Sequence, residues 1–292
     1  MNILKYALMA ACLFVSSQLQ AVEVTRKLIS ASDQQLQQEL VGLVRKQGLS
    51  LAVARKELAL VLVVLTDPDN PRMAELNGRM MVYAASLPKI AILLGAAVEI
   101  ERGQLKLDAA LKKDMTDMIR HSCNACATRV LERVGREELL NILQSPEYKF
   151  YDQENTGGLW VGKDYGPNTA YERDPLWGLS HGATAFQAAR FYYKLQTGTL
   201  VSPEQSEMML EMLSKPGISH KFVKGLKDYP DAEIFRKSGT WRTYHADSAL
   251  VRADDAVYIL VALANNPKGS EWLVKLAAPI HELAISESAA TR

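Results

Sequence analysis

Apolar residues recur at helical spacing between Ser32 and Gly48, where Leu36, Leu40, Leu43 and Val44 follow a Ser-Asp start, and this predicts an amphipathic helix. Leu58 to Leu65 is an unbroken Leu, Val and Ala run, the pattern of a buried strand. Asp67 to Pro71 carries turn chemistry, and a second strand is expected over Arg79 to Tyr83, after the turn-like pair Asn77-Gly78. Helical patterning returns from Leu87 to Arg102, ended by Gly103, and again from Asn124 to about Leu143. From Tyr148 to Trp177 periodicity is lost in a stretch rich in Gly, Asn, Asp, Tyr and Trp; an irregular segment this long in a compact domain is usually functional. Ala183 to Leu195 and Pro203 to Leu213 read as helices. Ile234 to Trp241, Ala246 to Arg252 and Ala256 to Ala264 read as three strands of an antiparallel meander, and Ser270 to Leu283 as a closing helix.

The order predicts an α+β fold: an antiparallel sheet flanked by N- and C-terminal helices, plus an all-helical lobe, with a cleft between them. The expected division is one domain over 22–292, its sheet lobe from about 30–85 and 215–292 and its helical lobe about 86–214. Residues 1–21 have the anatomy of a secretory signal peptide: Lys5 in a short lead, an apolar run from Tyr6 to Val15, and Ala21 before the cut. That run is too short to span a bilayer, so no membrane span is expected in the mature chain, and the destination is periplasmic or secreted. Cys12, behind Met9-Ala10-Ala11, is a faint lipid-attachment signal that the continuing apolar run argues against.

Composition narrows the function. Hydrophobic residues make up 48% and charged residues 23%, which excludes a disordered chain. A formal charge of +1 gives no field for gripping nucleic acid. The five histidines show no zinc-ligand spacing, and no metal or cofactor is expected.

Three short motifs carry chemistry. In Ser86-Leu87-Pro88-Lys89, at a strand-to-helix step, Pro88 suits a first turn and Ser86 is expected at the helix N-terminus, where free N–H groups favour a developing oxyanion. Lys89, three residues on, shares its face and can take the Ser86 proton if desolvated. Alone, the pair is equally an N-cap serine before a surface lysine. In Ser122-Cys123-Asn124, Ser122 could relay a proton to a leaving group and the Asn124 amide could hold a substrate carbonyl; alone, the triplet is an ordinary helix cap. In Lys237-Ser238-Gly239-Thr240, Lys237 and Ser238 could bind a carboxylate, Gly239 leaves the strand edge open to a substrate, and the Thr240 amide could join that of Ser86 as oxyanion donor. Alone, it is an alternating strand with a glycine.

Taken together and in this order, Ser-x-x-Lys, Ser-x-Asn and Lys-Ser-Gly resemble the signature set of class A β-lactamases and penicillin-binding proteins. The resemblance runs from about Ser32 to the last helix and includes the basic stretch between Ser214 and Phe235. It implies that fold, an acyl-enzyme on Ser86, and a cleft for β-lactams or D-Ala-D-Ala-like peptides. The chain departs from the pattern at three places. Cys123 stands where an Asp is usual, with Cys126 three residues on; in an oxidising compartment a disulfide between them is open, and two buried thiols are the favoured alternative. The segment between Lys89 and Ser122 is short. The Glu-x-x-x-Asn deacylation pattern is absent from Tyr148–Trp177, where Glu154, Asp164 and Glu172 are the weak candidates for activating water and Glu172-Arg173-Asp174 is expected to close the loop base by salt bridges.

Tyr244, His245 and Asp247 are expected near the cleft mouth, with His245 as a contact for a substrate carboxylate or a surface turn residue. His181 is expected at a helix start, and Trp160, Trp177 and Trp241 in loop packing or cleft shape. The expected function is an exported serine hydrolase acting on β-lactam or D-Ala-D-Ala-like amides. The rivals are a D,D-peptidase, transpeptidase or other acyl hydrolase acting on cell-wall peptide, and a non-catalytic peptidoglycan binder.

Overall fold

Every residue of β1 (Leu58–Val64) is buried, because the strand lies inside a sheet covered on both faces. The computed structural model describes residues 27–254 and 256–290; the expected signal peptide lies outside the described residues. In chain order β1 follows α1 (Gln34–Lys46) and α2 (Ser50–Ala54), and precedes β2 (Arg72–Leu76) and β3 (Val82–Tyr83). A helical stretch follows: α3 (Lys89–Glu101), α4 (Ala109–Arg120), α5 (Asn124–Val134) and α6 (Arg136–Gln144). Short strands β4 (Tyr151–Asp152), β5 (Gly157–Gly158), β6 (Trp160–Val161) and β7 (His181–Ala183) lead into α7 (Ala185–Gln196), α8 (Pro203–Leu213) and α9 (Phe222–Gly225). The chain closes with β8 (Glu233–Trp241), β9 (Tyr244–Ala253), β10 (Ala256–Asn265) and α10 (Gly269–Ala290).

The main sheet has the order β2-β1-β10-β9-β8, and all its pairings are antiparallel. Alternation along β1 divides the interior. Leu58, Leu60, Leu62 and Val64 face a core shared with Leu36 and Leu40 of α1 and with Leu273, Leu276 and Ile280 of α10. Ala59, Val61 and Val63 face the core of the helical lobe. Each fully buried Leu or Val contributes about 1.5–3 kcal/mol, so β1 stabilises both cores at once. At the centre of that lobe lies α3, buried from Lys89 to Glu99. Among the described residues no helix is long and apolar enough to cross a membrane.

The α+β plan and the meander agree with the sequence expectation, and several local assignments change. The second strand of the main sheet is β2, not Arg79–Tyr83. Asn77 adopts φ 53 and its Nδ2 donates to Val53 O and Leu58 O, ending β2 at Leu76. Only Val82–Tyr83 remains extended, and it joins a separate sheet of order β3-β7-β6. The helix expected from Asn124 to Leu143 is two, broken at Gly135 with φ 93. Helix α4 was not expected; Asp108 caps it by accepting from Leu111 N at 2.8 Å, and Leu111, Met115, Met118 and Ile119 form its buried face.

Glu172, Arg173 and Asp174 do not close the loop base by salt bridges. The buried Asp174 carboxylate accepts from Tyr151 Oη at 2.7 Å and from the amides of Leu176, Trp177 and Leu179, while Arg173 donates to Gly178 O. Trp160, fully buried, packs 4.6 Å from Tyr151 and donates to Glu172 O. One carboxylate thereby satisfies four donors and holds the base of the loop.

Candidate active site

Ser86 lies in a tight turn between β3 and α3. Ala85 adopts φ 50, and successive three-residue bonds follow: Leu87 N to Ala84 O at 3.0 Å, Lys89 N to Ser86 O at 3.3 Å and Ala91 N to Pro88 O at 2.9 Å. The α-helix begins only at Lys89, with Pro88 as its capping residue, so Ser86 stands one turn before the helix rather than on its N-terminus. Such i→i+3 turns commonly precede α-helices, and Pro88 loses nothing there by lacking an N–H.

Lys89 has no exposed surface. Its Nζ donates to Ser122 O at 2.7 Å, to Asn124 Oδ1 at 2.8 Å and to Ser122 Oγ at 3.5 Å, and lies 4.5 Å from the Tyr165 ring centre. No carboxylate faces it among these contacts, and burial pulls its pKa from 10.5 down to about 7. Lys237, also buried, reaches the same hydroxyl: its Nζ donates to Ser122 Oγ at 2.9 Å and to Ser238 O at 2.7 Å. Burial, then the nearby charge of Lys89, holds its pKa well below the usual lysine value. Ser122 itself adopts φ 57, which turns its hydroxyl between the two amines.

Cys123 and Cys126 form a disulfide, not two thiols. The bond spans the first turn of α5 directly beside Ser122, and Cys123 Sγ also caps the helix by accepting from Cys126 N at 3.1 Å. A covalent brace thus stands where the resemblance leads one to expect an aspartate. Asn124 lines the cleft, with its Oδ1 committed to Lys89.

β8 forms the opposite wall. A Cβ on Gly239 would lie 2.8 Å from the backbone nitrogens of both Ser86 and Leu87, and closer still to Ala84 O. Gly239 therefore admits the chain's own Ser86 turn, not a substrate as the sequence suggested. Ser238 Oγ is hydrogen-bonded to His220 Nε2 at 3.0 Å, and Thr240 Oγ1 accepts from Lys221 Nζ at 2.8 Å. Beneath them the buried Arg236–Asp247 pair, at 2.7 Å, ties β8 to β9, and Asp247 also accepts from Phe222 N. Asp247 is thus a buried strut rather than a residue of the cleft mouth. His245 is likewise displaced from expectation: alternation along β9 places it with Asp247 on the sheet face turned to α10. It is buried against Gly269, whose Cβ would come within 2.8 Å of its ring. Tyr244, on the other face, packs 5.2 Å from Tyr83.

The cleft has a volume of about 300 Å³ and is lined by Ser86 and Asn124, by Tyr83 and His181 of the small sheet, by Lys163 to Pro167, and by Thr240 and Trp241. His181 is a strand residue here, not a helix start. It is buried with its pKa lowered to about 4; its Nε2 donates to Lys163 O at 2.9 Å and its ring packs 4.3 Å from Tyr165. Tyr165 is held by its hydroxyl on Ala85 O at 3.3 Å and its amide on Thr128 Oγ1 at 3.2 Å. Burial raises its pKa, so it remains a neutral phenol.

The three candidate acids fare differently. Asp164 lines the cleft, yet both its oxygens accept from Arg136 at 2.8 Å, which lowers its pKa. Glu154 is exposed in the turn between β4 and β5, and Glu172 is exposed and engaged through its backbone; neither lines the cleft. Motif reading missed Tyr165, His220, Lys221 and His181 as parts of the site. Only the aromatic and basic character of their segments hinted at them.

A family model described as the beta-lactamase enzyme family matches residues 110–286. Among solved structures, PBP-A superposes with a TM-score of 0.64 at 19% identity, over 86% of this chain and 96% of that one. A beta-lactamase from Sphaerobacter thermophilus superposes at 0.65 and 15% identity, over 82% and 97%. One from Chitinophaga pinensis does so at 0.62 and 13%, over 85% and 99%. At these identities the superpositions establish a shared fold. No curated protein matches the chain.

Proposed function

The chain belongs to the beta-lactamase enzyme family, and on that premise we propose that it is an exported serine hydrolase that forms an acyl-enzyme with β-lactams or D-Ala-D-Ala-like amides. The observation that carries this is the convergence of Lys89 and Lys237 on Ser122 Oγ beside the Ser86 turn. In the proposed reaction, Ser86 Oγ attacks the carbonyl carbon while Lys89, neutral by virtue of its burial, takes the hydroxyl proton. In the free protein the Lys89 amine donates to Ser122 and Asn124, so productive binding must bring it to Ser86. The amides of Ser86 and Thr240 hold the oxyanion, and Ser122 passes the proton to the departing nitrogen as the C–N bond breaks. Lys237 and Ser238 anchor the substrate carboxylate. Residues 22–292 act as one catalytic domain once 1–21 are removed.

A specific observation favours the penicillin-binding peptidase variant of this function over a fast β-lactamase. The one cleft carboxylate among the described residues is spent on Arg136, and the Tyr165 ring covers the Lys89 amine. Neither leaves a base for water, so the ester on Ser86 is expected to persist. PBP-A, whose fold this chain shares, is known from its mutant as an acyl-enzyme complex with penicillin G, which is the same type of adduct.

The deciding experiment follows intact mass after addition of benzylpenicillin, with Ser86→Ala alongside. A stable adduct of the full penicillin mass, absent in Ser86→Ala, is the expected result. Rapid turnover would restore the β-lactamase reading, and absence of any adduct would leave only a binder.

A further inference from the structure

Each side-chain carboxylate or amide oxygen lining the cleft already has a donor: Asp164 from Arg136, and Asn124 Oδ1 from Lys89. Thr240 Oγ1 likewise accepts from Lys221. The donors are in the opposite condition. Among the described residues, Lys163, Asn124, Tyr83 and Trp241 line the same cleft, and no hydrogen bond or ion pair engages the Lys163 ammonium, the Asn124 amide nitrogen, the Tyr83 hydroxyl or the Trp241 indole N–H. Asp164, the carboxylate next to Lys163 in the chain, is neutralised by Arg136, and His181 is buried in the neutral form. The wall formed by Lys163, Tyr83 and His181 therefore presents donors and one uncompensated positive charge. The same cleft is lined by Thr240 and Trp241 of β8, the strand that carries Lys237.

From this arrangement we infer that the preferred acyl donor carries a second carboxylate, on the side chain of its acyl portion, and that Lys163 receives it. Resting on the proposed function, this names the substrate class: a dianionic amide with one acid group towards Lys237 and Ser238 and another on the acyl side. Both a cell-wall peptide whose acyl residue has an acidic side chain and a penicillin with a carboxylated side chain meet that description. The charge of Lys163 raises the rate of capture by attraction across a partly solvated gap, so its effect is moderate and falls with salt.

The test compares acylation rates for benzylpenicillin and carboxybenzylpenicillin, which differ by one carboxylate on the acyl side chain, read by intact mass. The expected preference of the native protein is about fivefold for the carboxylated compound at low salt. Lys163→Ala should bring the ratio near one, Lys163→Glu should invert it, and Lys163→Arg should retain it. The Lys163 backbone carbonyl, which holds His181, survives all three changes. A ratio at or below one in the native protein, or one that ignores the charge at position 163 while acylation continues, overturns the inference and leaves the proposed function standing. No adduct with either penicillin defeats the proposed function, and this inference with it.

Discussion

Lys89 and Lys237, 148 positions apart in the chain, direct their amines at one oxygen, Ser122 Oγ, from 3.5 and 2.9 Å. Two ammonium groups this close in a buried site repel strongly, so at most one holds its proton comfortably. For Lys89 it is burial that lowers the pKa to about 7, and this is what suits it to the proposed role of base; at Lys237 the charge of Lys89 adds to burial. In water each would stay charged.

Acylation should therefore depend on pH in a defined direction. Lys89 is pulled from 10.5 to about 7, so it is protonated and inactive below that value and neutral above it. The rate of penicillin capture should rise through a midpoint near pH 7 and then level. Lys89→Arg should abolish capture, since guanidinium does not deprotonate. The same shift bears on stability with the opposite sense to a salt bridge. The cost of burying the charge is full below about pH 7 and lifts as pH rises towards 10.5, so melting temperature should climb between pH 7 and 9. A flat rate profile across pH 6–8 would contradict the role given to Lys89.

The disulfide offers a second measurement. Cys123–Cys126 ties down the turn carrying Ser122 and Asn124, both of which hold Lys89. Its loop is short, so opening it costs only about 2 kcal/mol of stability by the chain-entropy model. Function should suffer more: reduction, or Cys123→Ser with Cys126→Ser, should slow acylation about tenfold, because misplacing a reacting group by a fraction of an ångström is expensive. Unchanged capture after reduction would show that the turn holds its shape alone.

Gly239→Ala should damage both folding and chemistry. The new methyl group would meet the backbone of Ala84, Ser86 and Leu87, which has no flexible end to move aside. A destabilisation of about 1–3 kcal/mol is expected, with acylation reduced at least about a hundredfold. Denaturant titration and adduct formation measure the two effects separately.

Asp247→Ala removes the partner of Arg236 in an ion pair whose side chains are 2% and 0% exposed. A charge left buried alone costs about 3–5 kcal/mol. Because the strut ties β8 to β9 beneath Lys237, urea unfolding should show that loss, while His245→Ala, on the same sheet face and without hydrogen-bond partners for either ring nitrogen, should leave adduct formation intact.

Asp164→Asn provides the last check. With both oxygens engaged by Arg136, Asp164 serves the loop rather than water, so the variant should lose stability without changing adduct lifetime more than twofold. A markedly longer lifetime would return Asp164 to the reaction.

Much of the plan was readable from short-range order. Periodicity located the β1 run, the meander and most of the helices, because burial on one or both faces writes itself directly into residue spacing. Where the expectation slipped, the deciding interaction was distant or depended on a backbone angle. Asn77 ends β2 by bonding to Val53 and Leu58, and Gly135 splits a pattern that otherwise reads as one helix. Helix α4 was legible in principle, from Asp108 and the Leu111, Met115, Met118 spacing.

By itself the amino-acid order determined the fold class and the chemical inventory: a serine with a lysine one turn on, a Ser-x-Asn helix start, and a Lys-Ser-Gly strand. Only the tertiary structure decided what these groups face. It turned His245 away from the cleft, closed the cysteines into a bond, and spent Asp164 on Arg136. It also laid Tyr165 across Lys89. The reason is one of range. Residue spacing records which side of an element is buried, whereas protonation and hydrogen-bond partnership depend on groups tens of positions away that meet only when the sheet and the helical lobe close on each other.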